Sequence, residues 1–457
     1  TLRIDYFHVG HATEEFITLD QLYRYPRWAG NPGQLLEQSK VGMYYIKVYD
    51  VHNKKLIFSK GFNSYFGEYQ TSNPAINGTR RTFHESALIP LPKNNILFTI
   101  EKRDRKNRFK QIFSLKIQMD DVTIQTAVKD PTVQIIDVSR KGPAAKKVDI
   151  VVLAEGYLKK DKNKVLKDLA QFKKLFFSLE PYKSRQDDFN LIGLFKPSVD
   201  QGCDEPTHGI FKNTAVGTTF YSMRSSRYLL TEANKDLRDI AGHVPYDSIF
   251  IMVNHSRYGG GGIYNFYCTF TADNIWNGYL ILHEFGHSFT GLADEYYSSS
   301  TAYNEFYPKG IEPVEPNITA LLDPKQVKWQ DQLTKGIAVP TPWNKEKYDN
   351  RDTMYQVERQ RLNRKIASLK QKNQNIELLK QLQQKANKLS VDAAKRTDKY
   401  LKNSKYAGKV GVFEGAGYAS KGLYRPMLDC LMFSKGMKPY CRVCYRAVMK
   451  TIDFYTK

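Results

Sequence analysis

The residues with the clearest chemical content lie at 282–296, Leu-His-Glu-Phe-Gly-His-Ser-Phe-Thr-Gly-Leu-Ala-Asp-Glu-Tyr. On a helix, positions four apart share a face. His283 and His287 can therefore turn imidazole nitrogens toward one metal ion. Glu284, beside the first histidine, can hydrogen-bond a water held by that ion and act as general base. Two histidines and a glutamate at this spacing suit zinc-dependent hydrolysis of a peptide bond. The competing reading is a pair of helix histidines making ordinary hydrogen bonds. The flanks weigh against it: Tyr279–Leu282 is an apolar helix start, and Gly291 is placed to end the helix.

A catalytic zinc needs a third protein ligand. Asp294 lies three residues after Gly291, the offset at which metzincin-type peptidases carry theirs. Glu295 is adjacent and reaches one methylene further. Glu305, within Tyr303-Asn-Glu-Phe-Tyr-Pro308, sits in a stretch of poor helix character. The order of preference is Asp294, Glu295, Glu305; a carboxylate that is not a ligand would orient a histidine. Ser288, Phe289 and Thr290 separate His287 from Gly291, where metzincins have two residues. The helix is therefore expected to run about one residue longer.

These residues need a scaffold, and 457 residues suffice for two or three domains. Residues 1–125 read as β-rich, with runs at 41–49, 55–58, 87–91, 96–100 and 111–117 separated by turn residues, which suggests an antiparallel β-sandwich. Residues 126–146 read as a linker. Beyond them, Val148–Ala154, Phe189–Phe195 and Ser248–Val253 are apolar runs expected as buried strands. Helical patterns at 159–179 and 227–241 alternate with them, so the second part, 126–457, is expected to be α/β. The glycine run after Tyr258 reads as flexible. It lacks the following helix and lysine of a phosphate loop. The aromatic alternation through 262–270 suits an edge strand that pairs with an extended peptide. Residues 350–405, rich in Lys and Gln, read as a helical hairpin turning at Lys372–Asn375 and inserted into the catalytic part. A last helix is expected near 441–454.

The net charge of +22 could favour nucleic acid or anionic glycans. Outside the hairpin the positive charges are scattered, which reads as a solvated basic surface, and no nucleic-acid partner is expected. No run of twenty apolar residues is present to span a membrane, and Thr1-Leu2-Arg3-Ile4 is not a signal-peptide start, as a mature chain would also show. Cys203, Cys268, Cys430, Cys441 and Cys444 leave an odd cysteine. Cys430, Cys441 and Cys444 could form a disulfide, stay as thiols or bind a structural metal. The last is the least favoured, because no fourth ligand is evident.

The extended signature through 283–296 resembles that of the IgA-peptidase family of bacterial zinc metallopeptidases. Asp149–Tyr157, Phe413–Tyr418 and Leu423–Pro426 agree with it, over roughly 145–457, and residues 1–125 are similar to the domain that precedes the catalytic part in bacterial members. The resemblance implies a zincin-type catalytic domain, Zn2+ as cofactor and secreted, periplasmic or cell-surface placement. It also implies an extracellular protein substrate, with host immunoglobulin and mucin-like glycoprotein as candidate classes. It further implies a methionine turn beneath the metal, at Met432 or else Met427. Tyr296, Tyr418 and Tyr424 are candidates for holding the oxyanion. The alternative function is a catalytically silent surface protein that binds host glycoproteins or glycans; an intact Glu284 speaks against it.

Overall fold

In the computed structural model, described for residues 1–25, 27–297, 306–372 and 375–457, the chain is a mixed α/β protein of several sheets. Eight α-helices occur among the described residues. Two four-stranded sheets are built from the first 126 residues. One orders Arg81–Ile89, Leu2–Gly10, Glu15–Arg24 and Gln125–Thr126; the other orders Leu56–Phe62, Tyr44–Asp50, Ile96–Arg103 and Phe109–Ile117. Their apolar sides meet in one cluster that includes Ile4, Tyr6, Ile46, Phe58, Ile89 and Phe98. Burial of such side chains supplies about 1.5–3 kcal/mol each.

A six-stranded sheet carries the rest. Its order is Gly260–Ile263, Tyr267–Thr271, Ser248–Val253, Val148–Glu155, Phe189–Phe195 and Gln134–Ser139. The four inner strands are parallel, and every residue of each is buried, which explains their unbroken apolar runs. Helices Lys162–Phe176, Asn277–Thr290 and Arg442–Thr456 contribute to one aromatic-rich cluster on this sheet, in which Phe285 stacks on Phe250 at 5.1 Å between ring centroids.

The structure corrects four sequence expectations. The linker at 126–146 contains the strand Gln134–Ser139, which pairs antiparallel with Phe189–Phe195. The helix expected at 227–241 is only Asn234–Ala241; Leu229–Leu230 is a short strand paired with Thr219–Phe220. Fully buried Leu229 and Leu230 are claimed by the sheet side of the core, which outweighs local helical spacing. The edge strand is the glycine run itself, Gly260–Ile263, and the aromatic residues after it lie one strand further in. Last, the hairpin is longer at its start, with helices Lys345–Gln371 and Ile376–Lys402. Of its expected turn, residues 373 and 374 lie outside the described residues.

Candidate metal centre and cleft

Helix Asn277–Thr290 carries the three motif residues and is almost wholly buried. It ends where the sequence suggested, at Gly291, whose φ of +67° is a left-handed conformation that glycine adopts without strain. The site leaves no room for a side chain, since a Cβ on Gly291 would lie 2.5 Å from Val41 Cγ1. The turn sends Leu292 back over the helix, where its N–H donates to the Gly286 carbonyl at 3.1 Å. Its carbonyl accepts a 2.6 Å hydrogen bond from His287 Nδ1. His283 Nδ1 donates to the Leu431 carbonyl at 3.1 Å. Both imidazoles thus spend the Nδ1 proton on a backbone carbonyl, so that in the neutral ring Nε2 carries its lone pair toward the cleft.

Asp294 completes a triangle with those two atoms. Its Oδ1 is 3.0 Å from His283 Nε2 and 3.2 Å from His287 Nε2, and the two Nε2 atoms are 3.2 Å apart. Ligands of a tetrahedral ion at about 2.0–2.1 Å sit roughly 3.3 Å from one another, so the donor set fits such an ion. The extra residue before Gly291 is absorbed by the helix, which runs through Thr290. The Asp294 segment is then fixed from three sides. Asn317 brackets Ala293, donating to its carbonyl at 2.9 Å and accepting from its N–H at 2.8 Å. The Asp294 carbonyl accepts from Gly417 N–H at 3.0 Å, and Glu295 N–H donates to the Met432 carbonyl at 2.9 Å. Glu295 itself turns away from the histidines, its carboxylate meeting Asn317, Cys441 and Cys444. Glu305 lies outside the described residues. Met432 is buried against the underside of the helix, its sulfur 2.9 Å from where a Cβ on Gly286 would stand. Met427 is only partly buried.

The triangle opens onto a cleft of about 1010 Å³, at the upper end of ordinary ligand pockets and large enough for several residues of a peptide. One side is the glycine strand. The hairpin forms another, contributing Tyr355, Arg359 and Asn363. It is anchored to the body by Lys370, whose ammonium meets both oxygens of buried Glu205 at 3.0 Å, and by Trp276 Nε1 donating to Ser390 Oγ at 3.1 Å. Val41, Gly42 and Asn63, which flank strands of the N-terminal sheets, line the cleft too. A family model described as IgA Peptidase M64 matches residues 136–452. The chain belongs to the IgA peptidase M64 family. A second model, described as Peptidase M64 N-terminus, matches residues 1–114, and comparison with curated proteins returns no match. Membership assigns the chain a metallopeptidase role.

The electrostatics of this M64 peptidase favour positive charge at the triangle. Burial alone would raise the Asp294 carboxyl, but the two imidazoles hold it well below its usual range. Burial alone would lower His287, yet Asp294 lifts it to about 9. Glu284, buried at the cleft wall, is raised by desolvation against the opposing pull of both histidines.

Two of the three tyrosines named from sequence reach the site. Tyr418 donates to Asp294 Oδ2, and the Tyr296 ring is stacked with that of His283, 6.2 Å apart. Tyr424 lies instead in strand Ala419–Arg425, bonded through its backbone to Thr319. Arg227 was missed. It lines the cleft and donates from Nη2 to Tyr296 Oη at 2.9 Å. The helix expected at 227–241 hid it, whereas an arginine before a short buried strand was the available signal.

Proposed function

We propose that this chain is a zinc-dependent metalloendopeptidase with His283, His287 and Asp294 as metal ligands and Glu284 as general base. The convergence of three donor atoms 3.0–3.2 Å apart on the floor of a peptide-sized cleft carries the reading. A bound zinc ion would supply Lewis acidity, lowering the pKa of water and polarising a carbonyl. Glu284 accepts the proton of the attacking water and returns it to the leaving amine. Arg227, with Tyr296, and Tyr418 face the same cleft and are suited to hold a developing oxyanion. The glycine strand offers backbone groups to an extended substrate. Residues 1–125 are read as an N-terminal β-sandwich domain and 126–457 as a zincin-type catalytic domain with the hairpin inserted. Extracellular proteins or glycoproteins, immunoglobulins among them, are the proposed substrates, cleaved outside the cell.

The test is Glu284→Gln, which preserves shape and leaves the ligands in place. We expect cleavage of a proteome-derived peptide library to fall by roughly 10²–10⁴-fold with metal content unchanged, and chelation of the parent protein to abolish cleavage. A metal-loaded variant as active as the parent would falsify the assignment of the base.

A further inference from the structure

Glu295, Cys430, Cys441 and Cys444 offer one ligand atom each, all within 4.8 Å of one another. They come from the end of the histidine motif and, more than a hundred residues later, from the loop carrying Met432 and the start of the last helix. None is more than 3% exposed. All three cysteines are free thiols. Cys444 Sγ is 3.1 Å from Glu295 Oε1 and Cys441 Sγ is 3.7 Å from it. The fourth ligand that sequence reasoning found lacking is this carboxylate.

A buried carboxylate among three thiols is a costly arrangement without a cation to hold it. Glu295 Oε2 is buried and meets no hydrogen-bond donor among the described residues. Asn317 Nδ2 orients the other oxygen at 3.1 Å. Backbone N–H groups point at two of the three sulfurs. Cys430 Sγ accepts from the N–H groups of Cys441 and Met432 at 3.2 and 3.4 Å, and Cys441 Sγ accepts from Cys444 N–H at 3.4 Å. Cys441 caps helix Arg442–Thr456 and Cys444 sits in its first turn, at the end where the helix dipole favours negative charge. The fully buried Arg425 guanidinium is within electrostatic reach of Glu295. Three thiolates and one carboxylate are a closed tetrahedral set for a borderline-soft divalent ion, with no position left for water.

We propose that Glu295, Cys430, Cys441 and Cys444 bind a second, structural zinc ion. Binding releases the protons of the three thiols and ties the motif loop, the Met432 loop and the C-terminal helix into one unit. Because Asp294 precedes Glu295, the ion braces the segment that completes the histidine triangle. The site stands independently of the peptidase reading, since it uses none of the residues assigned to catalysis.

The test uses the full chain, its His283→Ala/His287→Ala variant, and Cys444→Ser and Glu295→Gln made on that background. Elemental analysis should find about one zinc per chain in the histidine variant, falling severalfold in the two further variants after mild chelation. Cobalt loading of the histidine variant should give near-ultraviolet thiolate-to-cobalt absorption that Cys444→Ser weakens. Thiol counting of denatured, chelated parent protein should recover all five cysteines. A histidine variant that holds no metal, or a parent in which two cysteines are lost to a disulfide, overturns the proposal even if Cys444→Ser fails to fold.

Discussion

Gly262→Ala isolates what the glycine strand does. Gly262 pairs with Cys268 in an ordinary extended strand, so alanine meets no backbone strain there. Its Cβ would, however, press hardest on the Glu284 carbonyl oxygen and stand 3.0 Å from His287 Cβ and 3.2 Å from the Glu284 carbonyl carbon. Carbon atoms pack at about 3.5–4.0 Å, so strand and helix must separate by roughly 0.5–1 Å. Neither obstacle is a side-chain tip that can swing aside. Overpacking of this kind costs about 1–3 kcal/mol of stability. With the strand proposed to bear substrate and the helix proposed to be catalytic, a shift near 1 Å between them costs on the order of 10²-fold in rate. Both histidines ride on the one helix, so metal content should hold. Gly261→Ala is the control: its Cβ points to the other face and meets first Leu230 Cδ2 at 2.7 Å, the end of a flexible side chain. We expect kcat/KM on a cleaved library peptide to fall by about 10²-fold for Gly262→Ala and only a few-fold for Gly261→Ala, with Tm lowered by a few degrees in the first. A Gly262→Ala protein within threefold of the parent and unchanged in Tm would refute the close strand–helix packing as a requirement.

Three further outcomes follow from described contacts. Tyr418→Phe removes the hydroxyl that donates to Asp294 Oδ2, and metal affinity measured by chelator competition should weaken roughly 10–100-fold; an unchanged affinity rules the contact unimportant. Asp149 is buried in the central sheet, and burial, opposed by the hydrogen bond from Asn190, raises its carboxyl from 3.8 to about 6. A raised folded-state pKa means the group's stability is complete below pH 3.8 and is lost as pH rises through about 6. Asp149→Asn should therefore stabilise the protein above pH 6, by up to roughly 3 kcal/mol, and not below pH 4; denaturant titrations giving the same difference at both ends would contradict this. Lys370→Ala should leave Glu205 held by His208, His255 and Arg257 while freeing the hairpin end. Limited proteolysis within 345–402 should then speed up several-fold, and an unchanged cleavage rate would show that this pin is dispensable.

What could be read from sequence was what is local. His283, Glu284 and His287 lie within one turn of a helix, and Gly291 and Asp294 follow from how that helix must end, so spacing alone brought them close to their observed places. The buried parallel strands were legible because burial on both faces leaves continuous apolar runs. The misreadings share a cause in tertiary context. Of the glycines read as a loosely held loop, Gly260–Gly262 lie in a strand, and at Gly260 and Gly262 the neighbouring helix residues Glu284 and His287 come too close for a larger side chain. Arg227 precedes two leucines whose helical spacing was an accident of their burial in a sheet-side core. Glu295 looked like a rival zinc ligand, and only the fold places Cys430, Cys441 and Cys444 beside it.

Val41, Gly42 and Asn63 stand in the cleft wall although they flank strands Tyr44–Asp50 and Leu56–Phe62, far from the histidine helix in the chain. The join is specific: Asn63 N–H donates to the Tyr264 carbonyl at 2.9 Å, and Asn265 Nδ2 to the Gly61 carbonyl at 2.7 Å, just beyond the glycine strand. The histidine helix and part of the cleft wall therefore come from widely separated stretches of the chain. A substitution at Val41, Gly42 or Asn63 can reshape the cleft wall while leaving helix Asn277–Thr290 itself unaltered. A ligand reaching that wall touches residues more than two hundred positions away in the chain from the histidine motif.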